Sequence, residues 1–294
     1  MKKDIREISQ EELEQFFLEN NQQKFRIKQL NEWLWEKGAN SFDQMSSLSK
    51  DLRELLNEKF EFKSAKIDQE FKSTDGTIKF SFKLFDDKLV EGVLIPSKKR
   101  VTACISSQIG CSLDCTFCAT GTMGLSRNLS SSEIFDQVFK LNEESEKNYG
   151  RSLTNIVFMG MGEPLLNYNN LLNAIHHITS EKGMGVSPRR ITVSTAGLSK
   201  QIMKLADDEV KFNLAISLHS AIDEIRSEIM SINDSVNLQT LKESIRYFYE
   251  KTNNRVTYEY ILFKDLNDDL DAARRLAAFC RISPCKVNLI EYNT

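Results

Sequence analysis

Apolar and polar residues at the start of the chain alternate with the period of an α-helix. The stretch "SQEELEQFFLEN" begins with Ser9 and Glu12, a pair that caps the first turn of a helix. A second helix through "QQKFRIKQLNEWLWEKG" is predicted to stop at Gly38, and a third follows in "SKDLRELLNEKF". The second helix has an apolar side, formed by Phe25, Ile27, Leu30, Trp33 and Leu34. Its aromatic residues are therefore expected in a core rather than on a base-stacking surface, and residues 1–62 are predicted to form a helical domain.

Over residues 63–99 apolar and polar residues alternate with a period of two residues. "GTIKFSFKLF" alternates after a turn at Asp75–Gly76, and Asp86–Asp87 marks a second turn before "KLVEGVLIP". This segment is predicted to be a β-hairpin or meander that connects the helical domain to the rest of the chain.

From about residue 100, short apolar runs alternate with helical patterns. The predicted strands are 100–106, 153–159, 189–195, 212–218, 256–263 and 286–292. Continuous apolar strands between helices indicate a parallel sheet covered on both faces. An α/β fold built as a partial (β/α)6 barrel over residues 100–294 is predicted, with a doubly wound open sheet as the alternative.

The composition limits where in the cell the protein is expected and which chemistry its cysteines are expected to serve. No run approaches the roughly 20 apolar residues of a membrane span. The first residues include lysines but no apolar segment of a secretory signal, so a cytoplasmic protein with no membrane partner is expected. Six cysteines in such a protein favour metal or redox chemistry over disulfides.

The net charge of −3 gives no global indication of a nucleic-acid partner. An RNA would have to be bound by local basic clusters. The candidates are Lys24, Arg26 and Lys28; Lys98, Lys99 and Arg100; and Arg189 with Arg190. A solvated charged face is the more usual role of any one such short run.

The densest chemical feature is "CSLDCTFC", in which Cys111, Cys115 and Cys118 fall within eight residues. Zinc sites and most iron–sulfur sites take four protein ligands, so three thiols leave a position open. The loop follows the first barrel strand, at the strand end where such barrels gather their chemistry. The alternative is that the three cysteines lie on one face of a helix. Polar Asp114 and the glycine that precedes the loop, Gly110, argue against a buried helix.

The C-x₃-C-x₂-C spacing with an aromatic residue before the last cysteine resembles the radical S-adenosylmethionine (SAM) superfamily. In that superfamily the three cysteines bind three irons of a [4Fe–4S] cluster, and the fourth iron chelates SAM. After the second predicted strand, "FMGMGEP" matches a glycine-rich turn that contacts the SAM ammonium. Taken alone, the same residues could be an ordinary turn before a proline.

Longer motifs make the resemblance more specific. They are "ACISSQIGCSLDCTFCATGTMGLSRNL", "FMGMGEPLLNYNN", "RRITVSTAGL", "LAISLHSA" and "PCKVNLIEYN". In this order they resemble the RNA adenine-C2 methyltransferases that act on large-subunit ribosomal RNA and on transfer RNA. The helical residues 1–62 resemble that family's accessory RNA-binding domain. A sister family that methylates adenine C8 has the same cluster and remains an alternative.

The resemblance implies a set of site residues. Cys111, Cys115 and Cys118 would hold the cluster. The positions that match SAM contacts are Gly162, Glu163, Ser194, Ser217, Leu218, His219 and Asn293. Cys104 matches a non-cluster catalytic cysteine, and Glu91 matches a position assigned to proton transfer. Without the resemblance, Cys104 would be taken for a buried strand cysteine and Glu91 for a surface carboxylate.

The resemblance also implies a mechanism and partners. SAM would be used twice, first to methylate a carrier cysteine and then as the source of a radical that activates the carried methyl group. Cys104 would form a transient disulfide with the carrier, which a low thiol pKa would favour. An external flavodoxin-like or ferredoxin-like electron donor and a monomeric state are expected.

One feature of the resembling family has no counterpart in the printed sequence. Family members continue after the motif "LIEYN" into a further helix and a tail with the methyl-carrying cysteine, whereas this sequence stops at Thr294. A truncated chain is therefore expected, able to bind the cluster and SAM but incomplete for methyl transfer. A non-catalytic RNA-binding fragment is the corresponding alternative.

Overall fold

The computed structural model describes residues 2–292. The α-helices, numbered in chain order, are α1 Gln10–Glu19, α2 Phe25–Asn31, α3 Lys50–Lys59, α4 Ser131–Tyr149, α5 Tyr168–Thr179, α6 Ser199–Asp207, α7 Asp223–Ile229, α8 Ile232–Ser235, α9 Leu238–Thr252 and α10 Leu270–Phe279. The strands are β1 Lys3–Asp4, β2 Phe60–Glu61, β3 Lys66–Lys72, β4 Ile78–Lys83, β5 Leu89–Pro96, β6 Val101–Cys104, β7 Gln108–Ile109, β8 Arg127–Asn128, β9 Asn155–Phe158, β10 Ile191–Thr195, β11 Asn213–Ser217, β12 Val256–Leu262 and β13 Cys285–Glu291.

The chain divides into two compact units. The first consists of Met1–Ala103, Leu129–Leu153 and Asn169–Ser187, and the second of Cys104–Asn128, Thr154–Tyr168 and Pro188–Thr294. The domain boundaries expected near residues 62 and 99 stay predictions.

The three amino-terminal helices of the first unit are confirmed. Ser9 Oγ accepts a hydrogen bond from the Glu12 backbone N–H at 3.1 Å, and the Glu12 carboxylate accepts one from the Ser9 N–H at 3.1 Å. The second helix ends before Gly38, which has a positive φ of 61°. A Cβ atom there would lie 2.3 Å from the Phe139 ring, so only glycine fits this turn.

The expected apolar side of the second helix is partly wrong. Ile27, Leu30 and Leu34 are buried, but Phe25 is 51% exposed and Trp33 is only partly buried. The buried aromatic residue is Trp35, which stacks on His177 with ring centroids 3.5 Å apart. The cause is a π-helical segment, Glu32–Glu36, directly after α2. Each π turn takes one residue more than an α turn, so the buried side moves along the sequence.

A buried charge cluster joins the start of the chain to α4. Arg6 donates to Asp136 at 2.6 Å and to Asp4 at 3.0 Å, and all three side chains are almost fully buried. The second Asp136 oxygen accepts from the Ala65 backbone N–H at 2.9 Å. Because each buried charge has charged or polar partners, the cost of its desolvation is offset only while the cluster is intact.

The predicted meander over residues 63–99 is also confirmed. Strands β3, β4 and β5 pair antiparallel in that order. Phe80 and Phe82 of β4 lie opposite Gly92 and Val90 of β5, and the four residues are buried. Alternation with polar residues puts this apolar set on one face of the sheet.

The second unit contains five parallel strands in chain order, β9 through β13. The backbone directly after β6 runs beside β9: Ile105 N–H donates to Val157 O, and Gly160 N–H to Ile105 O, both at 3.0 Å. A doubly wound sheet would reverse its strand order, and these strands do not. Parallel strands in sequential order are typical of a barrel, which confirms the partial (β/α)6 prediction.

The described part of the chain contains no helix that could span a membrane. Across residues 2–292, every helix is too short or too polar to cross a bilayer.

The buried charge cluster should make a measurable contribution to stability. Asp136→Ala removes one carboxylate facing Arg6 and leaves the buried Ala65 N–H without its acceptor. We expect the free energy of unfolding, measured with urea, to fall by about 3 kcal/mol. The control is Glu54→Ala, which removes an exposed ion pair with Lys50 and should change stability little. Equal losses in the two variants would contradict this account.

Candidate active site

The three cysteines lie in a loop that is closed at its base by two short strands. Strand β7 pairs antiparallel with β8, so the two ends of the loop 110–126 lie side by side. Gly110 has a positive φ of 73°, and a Cβ atom on it would lie 1.8 Å from the Gly124 carbonyl oxygen. The two ends of the loop therefore touch through glycine backbone, which no larger residue at position 110 would permit.

Inside this cysteine loop the backbone forms successive turns rather than a regular helix. Cys118 N–H donates to Cys115 O and Gly121 N–H to Cys118 O, both at 3.0 Å, while Leu113 N–H donates to the Cys111 sulfur at 3.4 Å. The alternative that the cysteines share one face of a core helix is therefore wrong. Cys111 is buried, and Cys115 and Cys118 are partly exposed.

The thiols of the loop are close enough to affect one another electrostatically. Burial, together with smaller effects of the Cys118 and Cys111 thiols and of Glu163, raises the pKa of Cys115 to about 12. Burial also raises the pKa of Cys111. Cationic iron would favour the thiolate forms that these surroundings disfavour, so binding should release protons. Three soft sulfur donors in one partly buried loop fit an iron–sulfur cluster. In residues 2–292 no three His, Cys, Asp or Glu side chains are arranged as ligands of a single metal ion.

The glycine-rich turn after β9 packs against the strand that enters the cysteine loop. Gly162 has a φ of 94°, and a Cβ atom there would lie 2.4 Å from the Gln108 side chain. The Gln108 amide oxygen accepts from the Glu163 backbone N–H at 2.8 Å. This close approach explains why glycine occupies position 162.

The Glu163 carboxylate is buried and bound on both oxygens. One oxygen accepts from the Leu165 N–H at 3.0 Å, and the other from the Ala196 N–H at 2.7 Å. Burial raises the pKa of Glu163 to about 7, although the hydrogen bonds oppose this shift. Glu163 thus joins the loops after β9 and β10. Each carboxylate oxygen can accept a second hydrogen bond, so the expected SAM contact stays a prediction.

The remaining expected SAM contacts gather where β10 and β11 end. Ser194 Oγ and Ser217 Oγ are 3.5 Å apart. Leu218 and His219 follow directly, and both donate their backbone N–H groups to the Glu259 carbonyl oxygen at 3.0 and 3.2 Å. These four residues therefore lie together, as the strand pattern predicts.

His219 is held from several sides. Its Nδ1 accepts from the Ile261 N–H at 3.1 Å, and its ring meets that of Phe117, a cysteine-loop residue, with centroids 4.7 Å apart. Burial, with a smaller effect of nearby Arg226, lowers the pKa of His219 to about 3. The imidazole is therefore neutral at physiological pH, and it links the end of β11 to the cysteine loop.

The other predicted residues have separate surroundings. Cys104 ends β6, and burial raises the pKa of its thiol to about 11, so its surroundings disfavour the thiolate and its catalytic role stays a prediction. Glu91 lies on β5 in the first unit, where its exposed carboxylate accepts from Lys79 at 3.0 Å. Asn293 lies outside the described residues.

Sequence reasoning missed Arg226, which is 1% exposed. Its guanidinium donates to the carbonyl oxygens of Ala196 at 2.6 Å, Leu218 at 3.2 Å and Ser217 at 3.4 Å. It also donates to Asn233 Oδ1 at 2.8 Å. In "DEIRSEI" nothing distinguishes a buried arginine from one on the surface of a charged helix, so no local signal could have identified it.

Two family models match the chain. The model described as the ribosomal RNA large subunit methyltransferase N-terminal domain matches residues 3–62, and that of the radical SAM superfamily matches residues 105–277. The second match covers more than half of the sequence.

Curated relatives and a solved structure extend this similarity to nearly the whole chain. The probable dual-specificity RNA methyltransferase RlmN of Christiangramia forsetii is 53% identical over 292 residues, which cover 99% of this chain and 83% of the relative. The protein of the same description from Salinibacter ruber is 43% identical, with 99% and 81% covered. A radical SAM methyltransferase from Sphaerobacter thermophilus has a TM-score of 0.92 at 36% identity, covering 99% of this chain and 86% of that one. The chain therefore belongs to the RlmN family of radical SAM RNA methyltransferases.

Proposed function

We propose that the protein acts in the methylation of C2 of adenine in large-subunit ribosomal RNA and transfer RNA, through a methyl-carrying cysteine that these 294 residues do not supply. The observation that carries the proposal is the glycine-closed loop with three adjacent thiols, next to the clustered residues that end β10 and β11. The relatives described as dual-specificity RNA methyltransferases support the substrate class.

Cys111, Cys115 and Cys118 would hold a [4Fe–4S] cluster. When bound, such a cluster supplies the electron that cleaves SAM, and a flavodoxin-like or ferredoxin-like protein would deliver it. The chain's own contribution is to keep three thiols adjacent in a loop that the backbone closes at its base. Three thiolates would leave one iron of a four-iron cluster without a protein ligand, and SAM would bind at that position.

SAM would bind over the ends of β9, β10 and β11. The candidates are Gly162 (in the turn that packs against Gln108), Glu163, and the Ser194 and Ser217 hydroxyls. A carboxylate with its charge buried would attract the SAM ammonium strongly, because few water molecules compete there. Residues 1–62 would bind the RNA; residues 3–62 of this segment match the model described as the ribosomal RNA large subunit methyltransferase N-terminal domain.

The methyl carrier has no good candidate among the six cysteines of the printed sequence. Tyr292, just after β13, contacts Phe263, and Phe263 contacts Phe117 of the cysteine loop, with centroids 5.0 and 5.7 Å apart. The carboxyl end of β13 therefore faces the loop. Cys285 begins this seven-residue strand and would be about 20 Å away from its other end. Cys280 precedes it in a 3₁₀ turn, so neither thiol is placed to carry a methyl group.

Cluster binding can be measured directly. Anaerobic reconstitution should give about four irons and four sulfides per chain. Cys118→Ala should remove most of that iron, because it removes one of the three thiolates. Cys280→Ala is the matched control, with a thiol of similar exposure outside the loop, and it should keep the wild-type iron content. Equal iron loss in the two variants would rule out the ligand assignment.

The proposed role of Glu163 in binding SAM calls for a variant that keeps the shape of the side chain. Glu163→Gln retains an acceptor for the Ala196 N–H but removes the charge. A charge-assisted hydrogen bond contributes about 1.5–3 kcal/mol, so SAM affinity should fall roughly ten- to a hundred-fold while iron content is unchanged.

Equilibrium dialysis on the reconstituted protein measures this change. The control is Glu133→Gln, at a buried carboxylate in the first turn of α4 in the other unit. Glutamine also suits that capping position, so the control should bind SAM as the wild type does. Unchanged SAM affinity in Glu163→Gln would exclude the proposed contact.

RNA methylation separates the remaining alternatives. We expect the reconstituted 294-residue polypeptide to bind SAM and cleave it slowly to 5′-deoxyadenosine, but to form no methyladenosine. A version extended by a family-type tail that includes a cysteine should methylate ribosomal and transfer RNA. Chromatography of the RNA hydrolysate then distinguishes 2-methyladenosine from the 8-methyl isomer of the sister family. Multiple-turnover methylation by the 294-residue polypeptide would show that one of its own cysteines is the carrier.

A further inference from the structure

The segment 223–235, which contains α7 and α8, connects two parts of the candidate active site. On one side, its Arg226 side chain binds the carbonyl oxygens of Ala196 after β10 and of Ser217 and Leu218 at the end of β11. Carbonyl groups beyond the last paired residue of a strand have no ladder partner, so a buried donor has to supply one. One planar guanidinium does this for two neighbouring strands.

On its other side the same segment binds the cysteine loop. Thr116 N–H donates to the Ile229 carbonyl oxygen at 3.0 Å, and Ser231 Oγ donates to the Asp114 carboxylate. Cys115, between Asp114 and Thr116, packs against the buried group of Ala196, Ile229 and Met230. A displacement of this segment would therefore move the cysteine loop as well as the two strand ends.

Arg226 keeps its charge in this position. Its hydrogen-bond acceptors are three carbonyl oxygens and the amide oxygen of Asn233, all of them neutral. Asn233 links Arg226 to the Asp223 carboxylate, because its Nδ2 donates to that carboxylate at 3.0 Å. These partners bind the guanidinium through four hydrogen bonds, and because they are uncharged they do not cancel its charge. Burial lowers the pKa of Arg226 to about 10, which still leaves it protonated at neutral pH, and the Cys115 thiolate would stabilise that protonated form.

We propose that Arg226 is a positioning residue that anchors the cysteine loop to the ends of β10 and β11 and stabilises the anionic, cluster-bound thiolate of Cys115 through its buried positive charge. A positive charge in a site with little water acts strongly on a nearby anion. It should favour the reduced cluster, because reduction adds one negative charge. This inference depends on the proposed cluster, and its test therefore includes the iron content of the wild type.

The test compares reconstituted wild type with Arg226→Gln, Arg226→Met and Arg226→Lys. The readouts are iron per chain, the rate of iron loss to a chelator, and the midpoint potential from a dithionite titration followed by electron paramagnetic resonance. Arg226→Gln and Arg226→Met, which remove the charge, should have a more negative midpoint potential. At a fixed potential, their ratio of reduced to oxidised cluster should be roughly tenfold lower than in the wild type. The lysine variant should keep the wild-type potential but lose iron faster, because an ammonium cannot make the four guanidinium contacts.

Two controls separate charge from anchoring. Arg255→Gln makes the same charge change at an exposed residue just before β12 and should leave both the potential and the iron retention unchanged. Ser231→Ala removes a tether to the cysteine loop without changing charge, so it should speed iron loss and leave the potential unchanged.

Wild-type potential in a folded neutral variant would overturn the charge role, and wild-type iron retention in Arg226→Lys would overturn the anchoring role. If neither neutral variant folds, Arg226→Lys decides the proposal: a wild-type potential with faster iron loss supports it, and any other combination overturns it. A wild type that takes up no iron would instead refute the cluster assignment itself.

Discussion

The peptide groups of Ala196 lie between a buried acid and a buried base, and the candidate active site is organised around them. The Ala196 N–H donates to Glu163 at 2.7 Å, and its carbonyl oxygen accepts from Arg226 at 2.6 Å. Parallel strands in a barrel end with backbone groups that have no ladder partner, and at this end the sequence supplies charged side chains to bind them. Glu163 connects this point to β9, and Arg226 connects it to β11 and to the cysteine loop.

This arrangement explains why two charged side chains, Glu163 and Arg226, are buried here. A buried carboxylate and a buried guanidinium are costly to desolvate, and the shifted pKa values of Glu163 and Arg226 reflect that cost. Each side chain is nevertheless bound at several atoms, so neither is left without partners. Removing the partners of either side chain would leave a buried polar or charged group unpaired, so the two residues hold the ends of neighbouring strands in one geometry.

The sequence was sufficient where local pattern determines structure. The apolar runs located all six barrel strands, and the spacing of Cys111, Cys115 and Cys118 identified the loop, because both features are short-range. Trp35 was missed since a π turn changes which residues face inward, and apolar periodicity assumes a regular helix. The pKa of Cys104 and the burial of Arg226 depend on groups far away in the sequence, which no local pattern contains.

The central claim is that three thiolates hold a cluster and leave one iron available to SAM. Electron paramagnetic resonance of the reduced, reconstituted protein tests it most directly when spectra are recorded without and with SAM. The cluster signal is expected to change when SAM binds, because SAM would become a ligand of one iron. A cluster spectrum that stays the same while equilibrium dialysis shows SAM bound would contradict it.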